Sequence, residues 1–281
     1  MIVTHETPDT ACTAWKKLDY RCYSSGMITI SDPATVTSQN DRYDSPVVGT
    51  TQFMRYPAFL SRLAEHINTA DKPMRVLVVP GSVGCEAYTL AMLLHNLSDG
   101  KTQASIDTFD MSPSFSDIAE NGLYPSLVLR ALAPDLQRHF ALATDEKFAV
   151  LDEQIRQAVN VLPPQNVFDF QAEQPYDAVI CSNLIQYLSP ALIEKLFSHL
   201  TDMVAQDGVL CVDKAIDLYH NYWGGKSTYD IHQDLKAKSF TLCDTDFQRL
   251  DTDRALPESR TDMAICLQMN SYSVMRCDKD T

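Results

Sequence analysis

A chain of 281 residues, 45% hydrophobic and 21% charged, is long enough for one large α/β domain, alone or with a small appendage. Its formal net charge of −14 argues against nucleic-acid binding, because neutralising phosphates requires clustered Lys and Arg. No apolar run approaches the length of a membrane span, and the opening MIVTHETPDT lacks the basic and apolar parts of a signal peptide, so the expectation is a cytoplasmic protein with no membrane partner.

Before Thr50 the chain carries Tyr20, Tyr23 and Tyr43, runs of Thr and Ser, Pro33 and Pro46, and little helical periodicity after Leu18. This reads as a lid or short wrap over residues 1–49, preceding a catalytic domain over 50–281. The three tyrosines are candidates for a substrate pocket, although tyrosines on a surface or in a core are commoner. A helical pattern runs from Tyr56 to Ile67, and Met74 to Val79 form a short apolar run that reads as a buried strand.

The stretch after that strand, PGSVGCEAYTLAM, is a small glycine-bearing turn running directly into a helix over Gly84 to Leu97. Gly81 and Gly84 allow close backbone approach, and a helix start presents unpaired N–H groups, so this is where open α/β sheets hold ligands. Small residues after a strand also occur where a helix merely packs closely. A second buried run, Ser105 to Phe109, ends in Asp110, placed to accept bonds from both hydroxyls of a ribose. No GK[ST] sequence completes a phosphate-cradling loop, and Glu86 in the first helical turn would repel a pyrophosphate but could hold an amino or hydroxyl group. A nucleoside without a triphosphate is expected. S-adenosylmethionine, cationic at sulfur and free of phosphate, meets those preferences.

Further along, Pro113 to Asn121 and Pro190 to Ala205 read as helices, and Pro125 to Ala143 as one or two more. Strands are expected near Ala158, Tyr176 and Gly208, the alternation of parallel βαβ units in a doubly wound sheet. The segment from Lys214, with Gly224 and Gly225 between aromatics, offers His220 or His232 as a base if it covers the pocket. Met263 to Met269 and Ser271 to Cys277, joined at Asn270, read as a closing antiparallel hairpin. The eight cysteines are scattered, with no CxxC pair and no histidine at ligand spacing, so neither a metal site nor a disulfide framework is expected. Cys85 stands at a helix start, where a thiol pKa can fall, which leaves a nucleophilic role open.

Five blocks then carry a resemblance: TTQFMRYPAFLSRL, RVLVVPGSVGCEAYTLAMLL, IDTFDMSPSFSDIAENGLYP, QNVFDF and YDAVICSNLIQYLSP. In order and spacing they are similar to the chemotaxis receptor methyltransferases, the CheR family, whose usual forms are TxFFRxPxxF, CSTGEEPYSLAM, TDIS, HNLLD and FDxIxCRNVLIYF. The likeness covers about residues 50–213. It implies a class I methyltransferase fold, a Rossmann-like seven-stranded sheet, with S-adenosylmethionine as co-substrate and no metal. It places Gly81, Ser82 and Gly84 under the methionine part of the cofactor, with Thr51, Arg55, Glu86, Asp110 and Met111 around its polar groups. Asn166 and Val167 match the adenine-flanking pair, and Asn183, Leu184 and Tyr187 the residues after the fourth strand. Arg55 and Tyr187 are the catalytic candidates. Both also have bland readings, as a solvated helix charge and a packing ring.

Departures from the family cluster near the expected reaction centre. Ser182 stands in place of an arginine, Cys85 and Glu86 in place of paired acids, Gly81 in place of a loop cysteine, and Leu188 in place of a phenylalanine. With the short N-terminal region they favour methyl transfer to a small-molecule or carrier-bound acceptor, as in secondary metabolism. Three alternatives stand beside it. One is a cyclase or lyase in which the cofactor's own amino or carboxylate group attacks a sulfonium-bound carbon and releases methylthioadenosine. Another is a protein-glutamate O-methyltransferase. The last is a non-catalytic S-adenosylmethionine sensor.

Overall fold

The structure is a computed structural model that describes residues 9–38, 44–98, 104–212, 240–243 and 265–269. Tyr43, His220, His232 and the 271–277 arm of the expected hairpin lie outside the described residues. Contacts divide the chain into two units, Met1–Pro73 with Val78–Phe170, and Met74–Leu77 with Gln171–Thr281.

The first unit opens with helix α1 (Asp9–Lys16) and three antiparallel strands, β1 (Asp19–Cys22), β2 (Ile28–Ser38) and β3 (Asp44–Thr51), in the order β1-β2-β3. Helix α1 packs on a later helix, and its Trp15, 1% exposed, donates its indole N–H to the Leu123 carbonyl at 2.7 Å. Helix α2 (Pro57–Asn68) buries Phe59, Leu60, Leu63, Ala64 and Ile67, the spacing of one apolar stripe. Burying each of the larger side chains, Phe59, Leu60, Leu63 and Ile67, contributes about 1.5–3 kcal/mol. Strand β4 (Met74–Val79) is shared between the units and ends at the glycine turn.

From that turn rises α3 (Cys85–Leu97), followed by β5 (Ala104–Thr108) and α4 (Pro113–Asn121). Helix α4 has a strong start and stop: the Ser112 hydroxyl accepts from the Phe115 N–H, Pro113 occupies its first position, and Gly122 ends it at φ 60°. Over Pro125–Ala143, where one or two helices are expected, the chain forms a short 3-10 turn and a one-turn α-helix, and the unexpected feature is a second small antiparallel sheet built around them. Strand β6 (Leu123–Pro125), a 3-10 turn (Ser126–Ala131), the one-turn helix α5 (Pro134–Gln137), β7 (Phe140–Leu142) and β8 (Phe148–Leu151) give the order β6-β8-β7. FALATDEKFAVL is therefore a hairpin; its strands of three and four residues are too short to show a period of two. Helix α6 (Glu153–Gln157) and β9 (Val159–Val161) complete the unit, with β9 parallel to β5.

The second unit holds β10 (Tyr176–Cys181), a 3-10 turn (Ile185–Tyr187), α7 (Pro190–Asp202), β11 (Val204–Val212), β12 (Phe240–Cys243) and β13 (Ile265–Met269). Its beginning is fixed by Arg75, whose backbone N–H donates to Asp177 at 2.8 Å and whose guanidinium lies 4.5 Å over the Tyr176 ring. Helix α7 stops at Asp202, earlier than the expected Ala205, because β11 already begins at Val204. Strand β11 runs parallel to β10, and β13 runs antiparallel to both β11 and β12. The closing strand thus pairs with β12, which precedes it in the chain.

The strand order is β12-β13-β11-β10-β4-β5-β9. Five neighbouring strands, β11 to β9, make up the parallel portion; β13 runs antiparallel beside β11, and edge strand β12, antiparallel to β13, returns to the direction of the five, the α/β doubly wound arrangement expected from the sequence. The order reverses at β4, and its carboxyl end is where such sheets place their ligands.

Candidate functional site

The glycine turn after β4 is closed by its own backbone. The Gly81 N–H donates to the Phe109 carbonyl at 2.6 Å and the Gly84 N–H to the Gly81 carbonyl at 2.8 Å. A Cβ on Gly81 would collide with Thr108 Oγ1 and lie 3.1 Å from the Phe109 carbonyl, so no side chain fits there. Gly84 has φ +88°, with the Tyr88 ring 2.7 Å from where a Cβ would stand. The turn therefore presents bare backbone because both its conformation and its neighbours exclude anything larger.

Asp110 is joined to that turn. Its carboxylate accepts from the Ser82 N–H at 2.8 Å and from the Ser112 N–H at 3.1 Å, and it is buried. Burial raises its pKa to about 6, against the lowering effect of those backbone donors. Each carboxylate oxygen keeps acceptor capacity for a further donor. The loop after β9 is stitched alongside: the Leu162 N–H donates to the Thr108 carbonyl at 2.8 Å and the Gln165 N–H to the Asp110 carbonyl at 3.0 Å. This brings Asn166 and Val167 next to the Asp110–Met111 corner. Asn166 also shapes its own turn, its side-chain oxygen accepting from the Phe168 N–H at 3.0 Å.

Thr51 and Arg55 reach the same region from the segment between β3 and α2. Thr89 of α3 anchors that segment, accepting from the Met54 N–H at 3.0 Å while donating to the Cys85 carbonyl at 2.7 Å. Met54 and Tyr56, which flank Arg55, both have positive φ, at 55° and 54°. Ser82 and Asn183 share this uncommon geometry, at 46° and 58°. Strain of about 1–3 kcal/mol per such residue is typical of positions held for a function. The Arg55 guanidinium donates to the Thr50 carbonyl, yet its Nε is buried without a hydrogen-bond partner, and so is Ser82 Oγ. Two buried polar atoms left open beside a bare glycine turn and an acidic corner match a ligand carrying both charged and hydroxyl groups. Glu86 lies buried in the first turn of α3, where the helix N-terminus favours a carboxylate.

One possibility that the sequence leaves open is closed. Cys85 is fully buried, with its thiol against the Thr51 hydroxyl, and burial pushes its pKa up to about 12. A thiol so held is not a nucleophile near neutral pH. Its helix-start position suggests the opposite, but the burial that decides the matter depends on packing. Among the described residues, no group of three or more His, Cys, Asp or Glu is placed to hold a metal ion, and no helix is long and apolar enough to cross a membrane.

The remaining candidates fall into two places. Tyr20, 40% exposed, sets its ring edge-on to Trp15 at 4.6 Å, and half-buried Tyr23 closes the β1–β2 turn through its backbone. In the second unit, Ser182 is buried at the end of β10, Asn183 and Leu184 follow it, and half-buried Tyr187 ends the 3-10 turn, its N–H donating to the Leu184 carbonyl at 3.0 Å.

With this geometry in hand, comparison with known proteins is decisive for kinship. Residues 49–223 match the family described as CheR methyltransferase, SAM binding domain. The chain belongs to the CheR methyltransferase family. WspC of Pseudomonas putida, named as a probable biofilm formation methyltransferase, is 28% identical over 214 residues, covering 71% of this chain and 50% of that protein. A chemotaxis protein methyltransferase of Vibrio parahaemolyticus is 26% identical over 162 residues, covering 55% of this chain and 58% of its own length. The chain thus spans about half the length of the curated relatives it matches. Among solved structures, a TehB-like SAM-dependent methyltransferase from Corynebacterium glutamicum is 9% identical, covers 75% of this chain and 87% of that one, and superposes with a TM-score of 0.41. For this CheR member S-adenosylmethionine is the cofactor that the open polar atoms fit.

Two features of this region escape a sequence reading. Met54 and Tyr56 carry no residue-type signal for positive φ. Asp32 and Ser112, which support the acidic corner, lie far apart in the chain, although Ser-Pro ahead of a helical run marks Ser112 as a cap.

Proposed function

We propose that this CheR family member transfers the methyl group of S-adenosylmethionine to a carboxylate oxygen of a protein side chain. The observation that carries the methyl-transfer reading is the pair of open buried atoms, Arg55 Nε and Ser82 Oγ, beside the glycine turn and Asp110, inside the family-matched residues. In this reading Gly81, Ser82 and Gly84 pass under the methionine moiety, Arg55 forks onto its carboxylate, Thr51 lines it and Glu86 holds its amino group. Asp110 and Met111 hold the ribose, and Asn166 and Val167 flank the adenine; Asn183 and Leu184 enter the cofactor set only as what the family resemblance implies. Residues 50–281 act as the catalytic domain, with the preceding residues wrapped against it; Gly49 supports this, since a Cβ there would stand 3.1 Å from Ser82 Oγ.

The reaction is an in-line displacement. A carboxylate oxygen attacks the methyl carbon, the carbon–sulfur bond breaks, and its electron pair returns to sulfur, leaving S-adenosylhomocysteine and a methyl ester. No base is needed because the nucleophile carries no proton. The protein has to align the partners and exclude water. The family resemblance gives Tyr187 a role in the transfer step, for which a phenol suits: its π face favours a sulfonium and its hydroxyl can orient an acceptor.

A protein acceptor is supported by the names of the relatives, which describe chemotaxis protein methyltransferases. A second reading, a small-molecule acceptor, is favoured by buried Ser182, which stands where the family carries an arginine. Tyr20 and Tyr23 would then belong to a substrate lid. The test is incubation of the full chain with methyl-labelled S-adenosylmethionine and a fractionated extract. Alkali-labile label on protein, reduced at least tenfold in Tyr187→Phe, is expected. Label confined to small molecules replaces the acceptor class. Methylthioadenosine formed from the cofactor alone overturns methyl transfer itself.

A further inference from the structure

Asp32 is a carboxylate only 1% exposed, in strand β2, outside the family-matched residues. Burying a charge without a cationic partner is expensive unless donors surround it. Here they do. Its oxygens accept from the Ala34 N–H at 3.0 Å, the Thr35 hydroxyl at 3.0 Å and the Ser112 hydroxyl at 2.5 Å. Although burial alone would raise its pKa, hydrogen bonds from Ser112, Ala34, Thr35 and Ser114 bring it below the ordinary value, so it is ionised near neutral pH.

The backbone is built to put it there. Pairing of β2 with β3 runs in register to Asp32↔Val47 and resumes at Val36↔Pro46, so residues 33–35 form a bulge. Bulges re-aim side chains. This one supplies two of the donors, Ala34 and Thr35, and leaves the carboxylate facing Ser112. The Ser112 hydroxyl, in donating to Asp32, keeps its lone pairs for the Phe115 N–H at 3.1 Å, which starts α4. The Ser112 backbone N–H donates to Asp110, whose other oxygen takes the Ser82 N–H of the glycine turn. An unbroken buried chain therefore runs from Asp32 through Ser112 and Asp110 to Ser82.

We infer that Asp32 is a positioning residue for cofactor binding: through Ser112 it holds the Asp110 carboxylate in the orientation that receives the ribose hydroxyls. The N-terminal sheet is then part of the cofactor site's support, and the bulge at 33–35 exists to aim one side chain. The inference rests on Asp110 being the ribose acceptor.

The test measures dissociation constants of the full chain for S-adenosylhomocysteine and for its 2′-deoxy counterpart, and takes their ratio. Loss of one hydrogen bond to a charged group corresponds to a wild-type ratio of about tenfold or more. Asp32→Asn and Ser112→Ala are expected to shrink that ratio at least about threefold, the double variant no more than the worse single one, while Ser112→Thr keeps it near wild type. Ile28→Val, a buried change in the same strand, is expected to lower the melting temperature and leave the ratio intact, which separates positioning from general destabilisation. A ratio unchanged in Asp32→Asn and Ser112→Ala but collapsed in Asp110→Asn overturns the role of Asp32 alone. A ratio unchanged in Asp110→Asn overturns the ribose assignment and the inference with it.

Discussion

The glycine turn of residues 80–84 and the acidic corner of residues 109–112 are joined by hydrogen bonds yet held by different forces. The turn is fixed by exclusion: backbone closes on backbone, and Thr108, Phe109 and Tyr88 fill the space a side chain would need. The corner is fixed by charge: a buried carboxylate gathers N–H donors, and a second buried carboxylate, Asp32, steadies one of them. Steric support fails when volume is added, electrostatic support when a charge is removed. The two halves of the cradle should therefore break in distinguishable ways.

The largest effect is expected from Gly81→Ala. The new methyl group must displace Thr108 or the Phe109 carbonyl, at a cost of about 1–3 kcal/mol for overpacking, and the shifted backbone should lose cofactor binding as well. Denaturant unfolding and cofactor titration read both losses together; a variant that stays stable and binds normally would show that the turn is looser than its packing indicates. Asp110→Asn should separate the two properties. Affinity for S-adenosylhomocysteine is expected to fall about 10- to 100-fold, the worth of hydrogen bonds to a charged group, while stability near neutral pH holds or rises because a buried charge is gone.

The sign with pH follows from the raised Asp110 pKa. Below about pH 4 the carboxyl is protonated in both folded and unfolded chains. Between its ordinary value of 3.8 and about 6 the unfolded chain releases the proton first, so the contribution of this group to stability is full below that range and lost as pH rises through about 6. On the proposed ribose assignment cofactor affinity runs the other way, because the ionised form is the better acceptor for hydroxyls, and should rise through the same interval. Asp110→Asn should remove this component of both pH profiles.

The smallest effect is expected from Cys85→Ala. With its thiol buried and its pKa near 12, Cys85 should resist iodoacetamide in the folded protein, and its removal should leave turnover within about twofold while costing about 1 kcal/mol of stability. Rapid alkylation, or loss of turnover in a folded variant, would make the turn a chemical element and not only a steric one.

Much of this cradle is legible in the chain itself. The apolar run into Gly81 and Gly84 and the run ending in Asp110 announce their structures because the signals are local: a buried strand, small residues where backbone must approach, an acid at a strand end. The helix Pro113–Asn121 is equally plain, with its Ser-Pro start and glycine stop. The 123–151 sheet is not, since strands of three or four residues carry no measurable period and are stabilised by partners elsewhere in the chain. The N-terminal region behaves similarly. Its Thr, Ser and Pro content reads as a wrap, whereas residues 19–51 contain eleven- and eight-residue strands held by cross-strand pairing.

Sequence by itself determined the kinship, the alternating βαβ order, the glycine turn and the acid that faces it, because each depends on residue type within one or two turns of chain. Tertiary structure alone decided that Cys85 is inert, that Arg55 sits between two left-handed residues, and that Asp32 stands behind Asp110 across 78 positions of sequence. Burial and long-range hydrogen bonds set those outcomes, and both are properties of what surrounds a residue.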